Sequence, residues 1–229
     1  MAFIKKKIIY WSFVILYCFL VLSIGQVCLY KFVNPPMTNH MAYKVIQKKI
    51  CNTLYSKPNY EWRDMKAISA HIQKAVLASE DQRFFDHYGF DFIELENAIR
   101  SYVETHYVRG ASTISMQTAR TVFLWPDRSL LRKALEAYYT VLIEISWGKE
   151  RILEMYLNTV DWGPGVVGIE AASKRYFSIH ANELNSEQAS LMASILPRPH
   201  KWSPVSPDDH VIYRQKKIIK AMKQMPLAD

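Results

Sequence analysis

Apolar and polar positions along the chain fall into two regimes. Ile8 to Tyr30 is an unbroken uncharged run of 23 residues. As a helix it is roughly 34 Å long at about 1.5 Å per residue, enough to cross a hydrocarbon core of about 30 Å. From residue 34 onward the apolar positions recur at helical spacing. Ile68, Ile72, Ala75, Val76 and Ser79 share one face of a predicted helix that runs into Glu80. Asp91 with Glu94 has the spacing of a capping box, and Phe92, Leu95, Ile99, Tyr102 and Val103 continue as an apolar stripe. Leu131, Leu135, Tyr138, Leu142 and Ile145 predict a further helix. Ile152, Leu153, Tyr156 and Leu157 predict a shorter one after Gly148, and Val167 to Tyr176 another. Asn185 with Gln188 opens a helix that stops at Pro197, and Ser206-Pro207-Asp208-Asp209 opens the last one. Alternating strands are scarce; a small hairpin fits only Tyr107–Ser115 or Thr159–Val166.

The expected organisation is therefore residues 1–33 as a cytoplasmic tip and transmembrane anchor, and residues 34–229 as one mainly α domain. Asn34-Pro35-Pro36 forms a stiff exit between them. Lys5, Lys6 and Lys7 precede the span, which favours a cytoplasmic N-terminus and an external domain. A cleavable signal peptide has a shorter apolar region and a small-residue cleavage motif, so an uncleaved anchor is expected.

Composition sharpens this. Seven glycines in 229 residues leave little material for the turns of an all-β domain. Cys18, Cys28 and Cys51 do not make a disulfide framework. The formal charge is +8, which points to a polyanionic partner. Residues 1–33 hold four lysines and no acid, so the remainder has 25 basic and 21 acidic residues and a net charge of +4. That mild balance argues against a nucleic-acid binder.

Three blocks carry candidate chemistry. In the first, Glu80, Asp81, Arg83, Asp86 and His87 crowd the end of an apolar helix with Phe84, Phe85 and Gly89. A carboxylate against an apolar wall has its pKa raised, which suits a general base; a helix end that simply turns polar gives the same pattern. In the second, Arg109, Ser112, Thr113, Ser115, Gln117 and Arg120 cluster around Gly110, able to bind phosphate oxygens or merely to cap a helix. In the third, Arg132 and Lys133 stand four and three residues before Glu136, as a cationic site with an orienting acid or as a surface ion pair. Ser146 and Lys149 match S-x-x-K, a chance match without a following K-T-G.

In order and spacing these blocks resemble the first motifs of the peptidoglycan glycosyltransferases, glycosyltransferase family 51: E-D-x-x-F-x-x-H-x-G, G-x-S-T-I-x-Q-Q-x-x-K-N and R-K-x-x-E. Lys149 to Asn158 resembles the fourth, K-x-x-I-L-E-x-Y-L-N, and similarity extends from about residue 62 to 204. The single anchor and the lack of a transpeptidase domain resemble the monofunctional branch. The resemblance implies a lysozyme-like helical fold with a small membrane-proximal lobe. The implied activity is polymerisation of lipid II into β-1,4 glycan strands at the bacterial inner membrane, on the periplasmic side. It implies Glu80 as general base and Glu136 as second carboxylate, either catalytic or holding a divalent metal (Mg or Mn). Arg109, Ser112, Thr113, Gln117, Arg120, Arg132, Lys133, Tyr156 and Asn158 are implied at the substrate. Asp81, Phe84, His87 and Gly89 are implied to shape the first motif. Implied partners are lipid II, the growing glycan strand, the membrane, and the divisome or other peptidoglycan synthases; no nucleic acid and no organic cofactor are expected. The sequence departs from the pattern at Met116, Arg120 and Thr121, where the family has Gln, Lys and Asn, so one polar contact is expected to be lost at Met116. A lysozyme-like glycan cleaver and a weakly active or non-catalytic wall scaffold are the alternatives.

Overall fold

The computed structural model describes residues 2–51, 60–106, 110–127 and 129–227. Two compact units result, Met1–Pro36 and Met37–Asp229. The first consists mainly of α1, Ala2–Phe32, whose stretch Lys5–Phe32 is long and apolar enough to cross a membrane.

The second unit is helical, and most of its helices begin at a side chain that caps them. After α2 (Asn39–Cys51), which the sequence reading did not anticipate, α3 (Ala70–Glu80) is capped by Ser69, whose side chain accepts from the His71 N–H. Then α4 (Phe92–Thr105) starts at Asp91 and α5 (Ile114–Phe123) at Thr113. Ser129 caps α6 (Leu130–Ser146), and α7 (Lys149–Thr159) follows Gly148. A short hairpin pairs β1 (Asp161–Gly163) with β2 (Val166–Val167), in the second of the two anticipated places. At the first place, residues 110–113 form no strand and Ile114 already begins α5; residues 107–109 lie outside the described residues. The chain continues through α8 (Ile169–Phe177) and α9 (Ser186–Ile195), where Asn185 and Gln188 form a reciprocal capping box. It ends in α10 (Asp209–Met222), capped by Asp208 rather than Ser206, so Pro207 precedes the helix instead of lying in its first turn.

The core forms where α5 packs on α6 and α7, and where α9 packs on α3 and α10. Ile72, Leu77, Ile114, Ile143, Leu153, Met155 and Trp162 are fully buried within it. Val211, Ile218 and Met222 are buried too, so the apolar face of α10 is core rather than a docking face. Gly168, at φ +84°, links β2 to α8, and a Cβ there would lie 2.6 Å from the carbonyl oxygen of Asn158.

Two apolar stripes point the other way. On α4 only Ala98 is buried, while Phe92 and Val103 are 73% and 70% exposed. On α6 the buried face is Arg132, Glu136, Tyr139, Thr140 and Ile143, and Leu131 and Ile145 face outward. Helical period was legible in both; which face is covered was not, because apolar periodicity alone does not say whether protein or another apolar medium covers a face.

Candidate active site

The last turn of α3 delivers Glu80 to the wall of a cleft of about 440 Å³. Ser112, Gln117, Pro197 and Arg214 line the same cleft. Burial pushes the Glu80 carboxyl above its ordinary pKa. The opposing influences are a 3.1 Å hydrogen bond from Gln117 Nε2, the charge of Arg214, and a 3.5 Å bond from Ser79 Oγ, while the charge of Asp81 adds to the rise. Glu80 remains part-exposed at the cleft wall.

The loop after Glu80 is tied down at several points. His87 Nδ1 accepts from the Gly89 N–H at 3.2 Å, which puts the ring proton on Nε2. That Nε2–H donates to the Asp81 carboxylate at 3.0 and 3.1 Å. Asp81 Oδ2 also accepts from the Ile114 N–H at 2.9 Å, so one buried carboxylate joins the loop to the start of α5. Thr113 Oγ1 donates to the Gly89 carbonyl at 2.6 Å and accepts from the Met116 N–H. Phe84 is fully buried, edge-on to Phe85. Gly89 sits at φ +90°, with space for a Cβ closed off by Thr140 Cγ2 at 2.7 Å.

A second cluster lies along α5 and α6. Glu136 is fully buried; its Oε2 accepts from Arg132 Nη1 at 2.5 Å and its Oε1 from Lys133 Nζ at 2.6 Å. Arg120 Nη1 approaches Oε2 to 3.9 Å. Arg132 is buried, while the side chains of Arg120 and Lys133 are part-exposed. Gln117 and Arg120 stand one turn apart on α5, so a single helix joins the Glu80 side to the cationic side. Between them, the Tyr156 hydroxyl donates to Gln117 Oε1 at 3.5 Å. Burial, reinforced by the charge of Glu80, holds the Tyr156 phenol well above its usual pKa, so it stays a neutral donor.

Several expected substrate contacts are turned inward. Asn158 is fully buried, and its amide is committed to backbone: Oδ1 accepts from the Arg63 N–H, and Nδ2 donates to the Arg63 and Glu154 carbonyls. It pins the segment before α3 to α7 instead of meeting a ligand. Thr113 and Tyr156 are likewise buried, with their hydroxyls engaged as above. Arg109 lies outside the described residues. Met116 is buried in the helical core, so this departure removes no polar group from the cleft. Thr121 Oγ1 donates to the Gln117 carbonyl.

Glu136 does not fit a divalent ion, because both of its oxygens are already taken by cations. Metal-ligand residue types do meet elsewhere: donor atoms of Asp81, His87 and Asp91, all buried, lie within 4.8 Å of one another. As the bonds stand, His87 Nε2 carries a proton. Asp91 Oδ1 caps α4 through the Ile93 and Glu94 N–H groups, and its Oδ2 accepts from Arg83. An ion there would have to displace these bonds, so the set works as a brace.

Sequence reasoning missed Arg214, whose Nε donates to the Ser194 carbonyl at 3.0 Å beside the cleft. A signal was present: Arg214 stands three residues after Val211 and four before Ile218, a charge on the buried face of α10.

Comparison with known proteins agrees with this architecture. Residues 47–223 match the model of a family described as Transglycosylase. A biosynthetic peptidoglycan transglycosylase of Bdellovibrio bacteriovorus is 46% identical over 202 residues, 88% of this chain and 80% of the relative. One of Caulobacter vibrioides is 44% identical over 206 residues, covering 89% and 87%. One of Bacteroides thetaiotaomicron is 40% identical over 223 residues, covering 96% and 89%. A match across most of the chain, on a helical domain preceded by one apolar helix, establishes that this protein belongs to the transglycosylase family.

Proposed function

We propose that the protein polymerises lipid II into β-1,4-linked glycan strands of peptidoglycan, with Glu80 as the general base. The observation that carries this reading is Glu80 itself. It is a carboxyl of raised pKa at a cleft wall, held by Gln117, with Arg120 one turn further along the same helix. The Glu80 carboxylate takes the proton of the acceptor sugar 4-hydroxyl. The freed oxygen bonds to the donor's anomeric carbon as the bond to the diphosphate oxygen breaks, so the configuration inverts and undecaprenyl diphosphate leaves. Negative charge grows on the leaving oxygen, and fixed cations stabilise it most where they need no reorganisation. Arg120 and Lys133, part-exposed and anchored on Glu136, supply that charge, with Ser112 and Arg109 assigned to the same substrate. Glu136 thus acts by holding cations rather than by taking a proton.

Two apolar surfaces support a membrane setting. The stretch Lys5–Phe32 serves as a single-pass anchor in the inner membrane, its N-terminal lysines in the cytoplasm and the domain in the periplasm. The exposed stripe of α4, with Phe92, Ile99 and Val103, serves as the membrane-proximal lobe that meets a substrate carried on a lipid. Other peptidoglycan synthases are the assigned protein partners.

The test is incubation of labelled lipid II with wild-type and Glu80→Gln protein. Glycan strands are expected from wild type alone. Release of soluble fragments from finished sacculi without consumption of lipid II would instead establish a glycan cleaver, and equal activity of Glu80→Gln would leave a scaffold.

A further inference from the structure

Lys149 breaks a local rule. It is the first residue of α7, at the positive end of the helix dipole, where a cation is disfavoured. Its side chain is only 19% exposed. What holds it there is a set of contacts to the loop that follows Glu80. Nζ donates to the His87 carbonyl at 2.6 Å and to Glu144 Oε1 at 2.8 Å, and lies 4.6 Å over the ring of Phe84. The same Glu144 oxygen accepts from Ser115 Oγ, in the first turn of α5. One ammonium thus connects the loop 81–89, the end of α6 and the start of α5.

These are the segments whose relative register sets Gln117 against Glu80. Glu80 ends α3 immediately before the loop, and Gln117 stands two residues after Ser115. Asp81 ties the loop to α5 next to Glu80, and Thr113 ties it at Gly89, while Lys149 grips the same far end at His87 and reaches α5 through Glu144 and Ser115. We propose that Lys149 is a positioning residue for the glycosyl transfer, clamping the loop 81–89 to α5 so that the Glu80–Gln117 pair is held in working geometry. The proposal rests on Glu80 as the base.

Lys149→Met alone would strand the Glu144 carboxylate, whose side chain is 5% exposed, so the informative variant is Lys149→Met with Glu144→Gln. In the full chain, reconstituted with labelled lipid II, this variant is expected to keep its helical circular dichroism. Its kcat is expected to fall about 100-fold, the size of loss that misplaced reacting groups produce. KM is expected to stay within about twofold, because no group that touches substrate has been removed. Lys149→Arg, which can still donate to both oxygens, is expected to recover most of the rate. If the double variant is too unstable to assay, Ser115→Ala removes one hydroxyl from the same clamp and is expected to lower kcat by about fivefold to tenfold. A wild-type kcat in either variant, or a raised KM with kcat unchanged, overturns the proposal. Glu80→Gln in the same assay keeps the two readings apart. If it polymerises, the base assignment fails; if it is inactive while the double variant matches wild type, only the role of Lys149 fails.

Discussion

Replacing Glu170 by glutamine removes one charge from a fully buried carboxylate and almost nothing else. Burial alone would raise the pKa of this group. Four donors overturn that: Arg63 Nη2 at 2.8 Å, the Ala181 N–H at 2.9 Å, His180 Nδ1 at 2.7 Å and Lys174 Nζ at 3.1 Å. Together they bring the carboxyl down from 4.5 to about 2. A folded-state pKa below the unfolded value means the ionised group stabilises the fold above the unfolded pKa, and that this stability is lost as pH falls toward the folded pKa. At about 1.4 kcal/mol per pKa unit, the contribution at pH 7 is about 3 kcal/mol. Glutamine imitates the protonated acid at every pH. Glu170→Gln is therefore expected to melt about 6–12 °C below wild type at pH 7, for a domain of this size. The gap should hold down to about pH 4.5 and shrink to about half near pH 3. Thermal unfolding of the full chain in detergent, followed by circular dichroism across this range, checks it. A gap that is absent at pH 7, or that does not narrow on acidification, refutes the reasoning.

The site makes further demands. Gln117 donates to the ionised form of Glu80, so Gln117→Leu is expected to raise the Glu80 pKa and move the acid limb of the pH–rate profile to higher pH; an unmoved limb would break the link. Glu136→Gln removes the one carboxylate shared by Arg132 and Lys133, at a cost of about 3–5 kcal/mol in unfolding titrations and with loss of polymerisation. Gly89→Ala places a methyl against Thr140 at a positive φ, and about 2–4 kcal/mol of destabilisation is expected in the same titration. Serine at Phe92, Ile99 and Val103 together should leave the melting temperature close to wild type, because these side chains are exposed, while slowing turnover of substrate presented in vesicles.

What was legible in the sequence depended on whether the signal was local. Caps and periods are local, so the starts at Asp91 and Asn185 and the stripe Ile152–Leu157 carried into real helices, and the last helix starts two residues beyond the expected cap. Burial is not local. The stripes of α4 and α6 have the period of core helices, yet Val103 and Ile145 stand exposed. The same limit applies to Asn158 and Thr113: side chains well suited to a ligand are spent on the backbone of Arg63 and Gly89, partners 95 and 24 residues away in sequence. Arg214 escaped for the converse reason. It reaches the cleft from α10, far along the chain from Glu80, and only packing of α10 on α3 brings the two together.

That division also explains how the departures at Met116 and Arg120 fit the site. Position 116 lies on the inner side of α5, where a thioether packs without stranding a polar group, whereas a buried amide would need partners. Position 120 lies on the outer side, one turn from Gln117, and faces a carboxylate that Arg132 and Lys133 already neutralise. Three cations around one acid leave an excess of positive charge, and an arginine at the 3.9 Å member keeps donors to spare for a second anion, since one guanidinium carries five N–H groups. A lysine there would offer three donors around a single nitrogen. The substitution therefore changes the geometry of anion contact without removing charge. Arg120→Lys is accordingly expected to keep polymerisation while lowering kcat more than it raises KM, because Arg120 acts on the charge that grows on the leaving oxygen. A raised KM at constant kcat would instead place Arg120 on ground-state binding of the diphosphate.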